Sequence, residues 1–242
     1  MLRFLSAGES HGPLLTAILD GMPAGVPITA EYVDRELRRR QVGYGSGGRM
    51  NIEQDTVQIT SGVVAGRTTG APIALSVENR DYKNWREKDI APMTTPRPGH
   101  ADLTGAVKYG YRDLRIALER ASARETTMRV AAGAFARRLL EEFGILIGGY
   151  VTQIGGVYAA LDPDQPYEAR FAAAEANDVR CPDPHAAERM HEEIRQAKID
   201  KDTLGGVIEV VVLNVPPGLG SHVQHDRRLD ARLVAALVSI HA

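Results

Sequence analysis

A single cysteine, Cys181, stands among 242 residues. One cysteine cannot close a disulfide within the chain, so a disulfide-stapled scaffold is excluded and a reducing compartment suits it. Cys181 reads either as a nucleophile or as an ordinary thiol in a loop rich in proline and aspartate. Reactivity needs an electropositive setting that the sequence does not supply, which favours the ordinary thiol. Aromatic residues are scarce at 5%, with one tryptophan, Trp85. They form no stacking platform for single-stranded nucleic acid. Net charge is only -2, so no global field draws nucleic acid or a membrane surface, and any anion site must come from local clustering. No apolar run approaches the roughly 20 residues a membrane helix needs. The opening MLRFLSAGESHG lacks the apolar core and small-residue cleavage site of a signal peptide. A cytoplasmic protein without membrane contact is expected.

What is present is ordinary for a globular protein: 43% hydrophobic and 25% charged residues. No linker divides the chain, so residues 1–242 read as a single domain. Residues 2–7 and 14–20 read as strands joined by Gly-Glu-Ser-His-Gly. Residues 30–41 carry Val33 and Leu37 at helical spacing among charges, as a short, mostly exposed helix. Strands are expected at 56–60 and 72–78, and a long proline-rich surface loop at 79–101. Helices follow at 101–112 and 120–143, the second with Met128, Ala131, Phe135 and Leu139 near one face. A β segment at 145–159, a helix near 184–198, a buried strand at 206–214 and a final helix from 228 complete the pattern. Runs of strands and runs of helices indicate α+β.

Four polar segments concentrate the chemistry. His11, beside a turn glycine, is open to a ligand, and histidine is the residue type suited to proton transfer near neutrality, although a histidine merely capping a strand end is the commoner case. Arg38 to Arg49 place arginines before glycines, which suits an oxyanion; a solvated helix end is the plain alternative. No Gly-Lys-Ser/Thr follows, so this is not a P-loop. Arg97-Pro98-Gly99-His100-Ala101-Asp102 sets a cation and an acid side by side, or simply forms a loop–helix junction with Asp102 supporting the dipole. Arg120 to Thr126 opens the long helix, as a phosphate-compatible N-terminus, a capping box of Ser122 with Glu125, or both. His185, His191, His222 and His225 lack metal-ligand spacing, so no metal is expected.

Residue types and spacing reach an anion-binding enzyme with two loop histidines. The blocks AGESHG at 7–12, RRRQVGYGSGGRM at 38–50, TTGAPI at 68–73, RPGHAD at 97–102 and KYG at 108–110 go further. With SARET at 122–126, RVAAGA at 129–134, DTLGGVIE at 202–209 and PPGLGS at 216–221, the chain resembles chorismate synthases, in that family's order of motifs. The resemblance implies a β-α-β sandwich with a helical layer between antiparallel sheets, assembled as a homotetramer. It implies anti-1,4-elimination of phosphate from 5-enolpyruvylshikimate 3-phosphate (EPSP), the last common step of the shikimate pathway. Reduced FMN is required without net oxidation, the cofactor supplying the chemistry and the protein its orientation. The resemblance also implies roles. His100 acts as acid toward the departing phosphate, and His11 protonates beside the flavin. Arg40, Arg49 and Arg97 bind the substrate's anionic groups. Arg120, Ala121 and Ser122 match one flavin-contact block, and His241 with Ala242 matches the start of another. NADPH enters only where a flavin reductase activity accompanies the enzyme; otherwise an external reductase supplies reduced FMN.

Two departures qualify the likeness. Ser46 stands where the family usually has arginine, which weakens substrate binding unless Arg49 or Lys83 compensates. The family's later glycine-rich segment, Lys-Pro loop and Arg-Ser-Asp motif have no counterpart in these residues. A chain of this extent alone is therefore expected to bind FMN weakly and turn over little. A catalytically weak or inactive remnant that oligomerises or binds phosphorylated ligands is the alternative. A nucleic-acid binder built on Arg35 to Arg49 is disfavoured by the near-neutral net charge.

Overall fold

The computed structural model describes residues 2–45 and 52–240. In chain order its elements are β1 (Arg3–Ala7), β2 (Leu14–Asp20), α1 (Ala30–Gln41), β3 (Val57–Ser61), β4 (Val63–Val64), β5 (Arg67–Thr68) and β6 (Ile73–Glu78). A 3-10 turn at Arg80–Asn84, α2 (Asp102–Tyr109), α3 (Arg115–Arg120), a 3-10 turn at Ala123–Glu125 and α4 (Thr126–Glu141) follow. Then come β7 (Leu146–Ile154), β8 (Val157–Tyr158), α5 (Tyr167–Glu175), α6 (Pro184–Asp200), β9 (Gly206–Leu213) and α7 (Leu229–Val238). Every strand pairing is antiparallel, and the class is α+β. Contacts gather into two compact units.

The first unit holds residues 1–40, 49–139 and 217–242. Its four-stranded sheet runs β1-β2-β6-β3. Alternation along β2 points Leu15, Ala17 and Leu19 to one face, and β6 adds Ile73, Leu75 and Val77. These six meet Val33 and Leu37 of α1 and Met128, Ala131 and Phe135 of α4 in one core. The helix over 30–41 is present and anchored through Val33 and Leu37 as its spacing predicts, but it is not mostly exposed: only Glu31, Arg35 and Arg38 are, because its charged side chains are drawn into ion pairs such as Arg39 and Arg137 with the buried Glu36. Gly8 turns the chain out of β1 with φ +108°, and a Cβ there would stand 2.6 Å from the Leu14 carbonyl oxygen. Only glycine lets the two strands close over the His11 turn.

The second unit holds residues 41–48 and 140–216, with sheet order β8-β7-β9. At Gly148 a Cβ would fall 2.3 Å from the Phe171 ring, so this glycine opens the strand for α5 to pack. α6 starts as its sequence implies: Asp183 accepts from the backbone N–H groups of His185 and Ala186, with Pro184 in the first turn. Cys181 is fully buried in the core beside Ala186 and Met190. Burial pushes its thiol pKa up, which leaves an inert packing group.

Three further expectations change. The helix predicted over 120–143 begins at Thr126, because the chain breaks after α3. Ser122 caps the intervening 3-10 turn by accepting from Arg124 N, and Glu125 is drawn to Arg129 and Ser6 rather than closing a capping box. The helix α5 was not foreseen. Residues 206–214 are a strand but not a buried one: β9 lies at the sheet edge, with Ile208 and Val210 more than half exposed. β-branched density reports fit to a pleated surface, not the presence of a covering layer.

Candidate active site

The candidate residues of the first unit sort into three clusters. The first is the turn carrying His11. Its Nδ1 lies 2.7 Å from Glu119 Oε1, and its backbone N–H donates to Glu119 Oε2 at 2.7 Å. Its ring sits 4.0 Å from that of Trp85, and Trp85 is itself held by donation to Asp81. Asn79 Nδ2 donates to the carbonyls of Glu9 and Gly12. The carboxylate can only accept, so Nδ1 carries the proton and Nε2 is left for exchange.

Behind this turn lies a buried ionic network. Arg124 Nε donates to Asn79 Oδ1 at 2.8 Å, and its Nη1 donates to Asp55 at 2.9 Å. Nη2 stands 3.5 Å from Glu53. Arg124, Asp55, Glu53 and Asn79 are each no more than 5% exposed. Arg40 approaches the same Asp55 at 3.7 Å, and donates from Nε to Thr126 Oγ1 and from Nη2 to the Ala123 carbonyl. Charges so deep are tolerated only when paired and hydrogen-bonded.

The second cluster is the RPGHAD segment. Arg97 grips Asp102 with both Nε and Nη2, at 2.8 and 2.9 Å, and its backbone N–H adds a third bond. The Arg97 guanidinium holds the Asp102 carboxyl at about 2, below its ordinary 3.8. A depressed carboxylate stabilises the fold fully above the unfolded value and loses that contribution as pH falls through the folded one. Thermal midpoints should therefore drop between pH 3.8 and about 2, and Asp102→Asn should remove that part of the acid sensitivity while lowering the midpoint at neutral pH. An unchanged acid profile in the variant would assign the sensitivity elsewhere. His100 Nδ1 donates to the Pro98 carbonyl at 2.9 Å, so its Nε2 is also the exchangeable nitrogen. His11 and His100 are not hydrogen-bonded to each other.

The third cluster surrounds an open cavity of about 660 Å³. Arg120 and Ala121 line it, together with Lys108 and Tyr109 of α2, Tyr111, Ile116 and Arg129. Ala101, the residue after His100, contributes to the same wall. Ser122 does not; its hydroxyl is turned to Arg124 N. Sequence reasoning had matched Arg120 and Ala121 to a flavin block from motif alone, and the cavity was not foreseeable. Glu119, Trp85, Asn79, Asp55 and Glu53 were also missed, since the His11 turn or Arg124 that each supports lies far from it in sequence. Ser46, Arg49, His241 and Ala242 lie outside the described residues.

The sequence model of the chorismate synthase family matches residues 2–242. The chain belongs to the chorismate synthase family. It is 54% identical over 252 residues to a chorismate synthase of Geobacillus kaustophilus, covering all of this chain and 65% of that protein. It is 57% identical over 251 residues to one of Pelobacter propionicus, covering 64% of it. A chorismate synthase crystal structure superposes with TM-score 0.84 at 46% identity, over all of this chain and 66% of that one. The chain thus spans about 65% of the length of these chorismate synthases.

Proposed function

We propose that this chain carries the larger part of a chorismate synthase active site, serving anti-1,4-elimination of phosphate from EPSP. Identity above one half across the whole chain supports the reading. In that reaction the C–O bond to phosphate and a C6–H bond break, and a second ring double bond forms. His100, with Nε2 unencumbered, gives a proton to the leaving phosphate or holds it as an acid. His11, oriented by Glu119 and Trp85, donates beside the flavin. Arg40 and Arg97 face the substrate's anionic groups with Arg49; their bonds to Thr126, Ala123 and Asp102 keep them rigid rather than free. Ser46 would contribute a hydroxyl where the family resemblance implies a guanidinium.

The cavity offers a fit for reduced FMN: the cations Lys108, Arg120 and Arg129 line it together with Tyr109, Tyr111 and Ile116, the mixture of charge and apolar surface a flat anion requires. When bound, that cofactor lends electron density transiently and helps take up the proton, with no net redox change. On this reading both compact units belong to one chorismate synthase domain. The protein works in the cytoplasm as a homotetramer and receives reduced FMN from an external reductase, or from NADPH where a reductase activity is present. Among the described residues no helix is long and apolar enough to cross a membrane.

The test is an anaerobic assay with EPSP and chemically reduced FMN, following chorismate absorbance and phosphate release. It compares this chain with the same chain extended by a relative's C-terminal segment. Turnover in the extended form is expected, with little in the shorter one. Absence of turnover in both would favour the inactive remnant, and Ser46→Arg would then be the first reversion to assay.

A further inference from the structure

Glu125 is 4% exposed, and its two oxygens serve different partners. Oε1 accepts from Ser6 Oγ at 2.7 Å, and Ser6 Oγ accepts in turn from Arg120 Nη2 at 2.6 Å. Oε2 accepts from Arg129 Nε at 2.9 Å. Arg129 Nη1 then donates to Ser239 Oγ at 3.0 Å, just past α7. Guanidiniums only donate and carboxylates only accept, so the direction of every bond in this row is settled. Arg120, Ser6, Glu125 and Arg129 all line the 660 Å³ cavity.

We infer that Glu125 is a positioning residue: it sets Arg120 and Arg129 as a preorganised cationic wall for a flat, phosphate-bearing ligand, and through Ser239 ties the end of α7 to that wall. The inference rests on the proposed reading of the cavity as a flavin site. Two guanidiniums against one carboxylate leave the wall with a net positive charge, so holding them does not cancel them. An unheld arginine would have to be ordered at the moment of binding, which weakens affinity. Glutamine in place of Glu125 keeps the shape and can keep both contacts, its amide oxygen accepting from Arg129 and its amide N–H donating to Ser6 Oγ, but it removes the negative charge that strengthens the hold on the two guanidiniums.

The test is a fluorescence titration of the full chain with oxidised FMN, alongside thermal unfolding and the absorption spectrum of the bound flavin. Wild type should bind weakly but saturably, so the titration runs to FMN concentrations that reach the plateau. Glu125→Gln should bind about tenfold more weakly, the usual worth of one charge-assisted hydrogen bond, with an altered flavin band. Ser239→Ala, at an exposed bond, should bind about threefold more weakly with an unchanged thermal midpoint. Equal affinity in wild type and both variants would overturn the positioning role and leave the flavin reading standing. Absence of saturable binding by wild type would overturn both. Where Glu125→Gln fails to fold, Ser239→Ala decides, and unaltered affinity there rejects the inference.

Discussion

In the chain extended by a relative's C-terminal segment, His11→Ala and His100→Ala are each expected to lower kcat for chorismate formation by about 10- to 10,000-fold, the range for a positioned acid–base group. The geometry gives both histidines the same polarity. His11 Nδ1 is committed to Glu119 and His100 Nδ1 to the Pro98 carbonyl, so in each ring Nε2 is the nitrogen open to a ligand. The two differ in support. His11 is braced by a carboxylate and by Trp85 at 4.0 Å, whereas His100 is exposed and held by one carbonyl. Glu119→Gln should accordingly impair His11 without abolishing activity, since an amide can still fix the tautomer but stabilises the charged ring less. The measurement is single-turnover kinetics under anaerobic conditions with reduced FMN. Losses below about threefold for both alanine variants would remove the acid–base assignment, given the usual size of such effects.

Arg124→Ala is expected to produce the largest loss of stability. The substitution withdraws the cation that faces Asp55 and Glu53 and strips Asn79 Oδ1 of its donor. Two carboxylates that are each 2% exposed then lie without it. Breaking a buried pair in this way costs about 3–5 kcal/mol. For a chain of this size the thermal midpoint should fall by roughly 10 °C. Asn79 also clamps the Glu9 and Gly12 carbonyls, so the His11 turn should loosen and activity should fall further than residual folding accounts for. Arg124→Lys should rescue little, because an ammonium cannot span Asn79 and both acids with a planar fork. A midpoint within about 2 °C of wild type would mean that water or neighbouring groups replace the guanidinium, and the network would then carry no structural weight.

Local chemistry made much of the molecule legible from its residues. The strands over 14–20 and 72–78 were legible as short apolar segments bounded by turn residues, and the structure then showed which of their side chains face the core. Gly8 and Gly12 marked the His11 turn, and Asp183-Pro184 marked the start of α6. The ordered motif blocks carried the family. These features depend on backbone conformation and on side chains a few positions apart, where periodicity and turn preference operate.

The tertiary structure alone decided the partners. Arg97 pairs with Asp102, while Arg40 turns to Thr126 and Ala123, 86 and 83 residues away. His11 finds Glu119 across 108 residues, and Arg120 reaches Ser6 across 114. The break between α3 and α4, which sets Arg124 and Glu125 into buried bonds rather than a helix face, also follows from those distant partners. Charged side chains are long and their pairing is not periodic. Which one meets which depends on the elements that the core has already brought together.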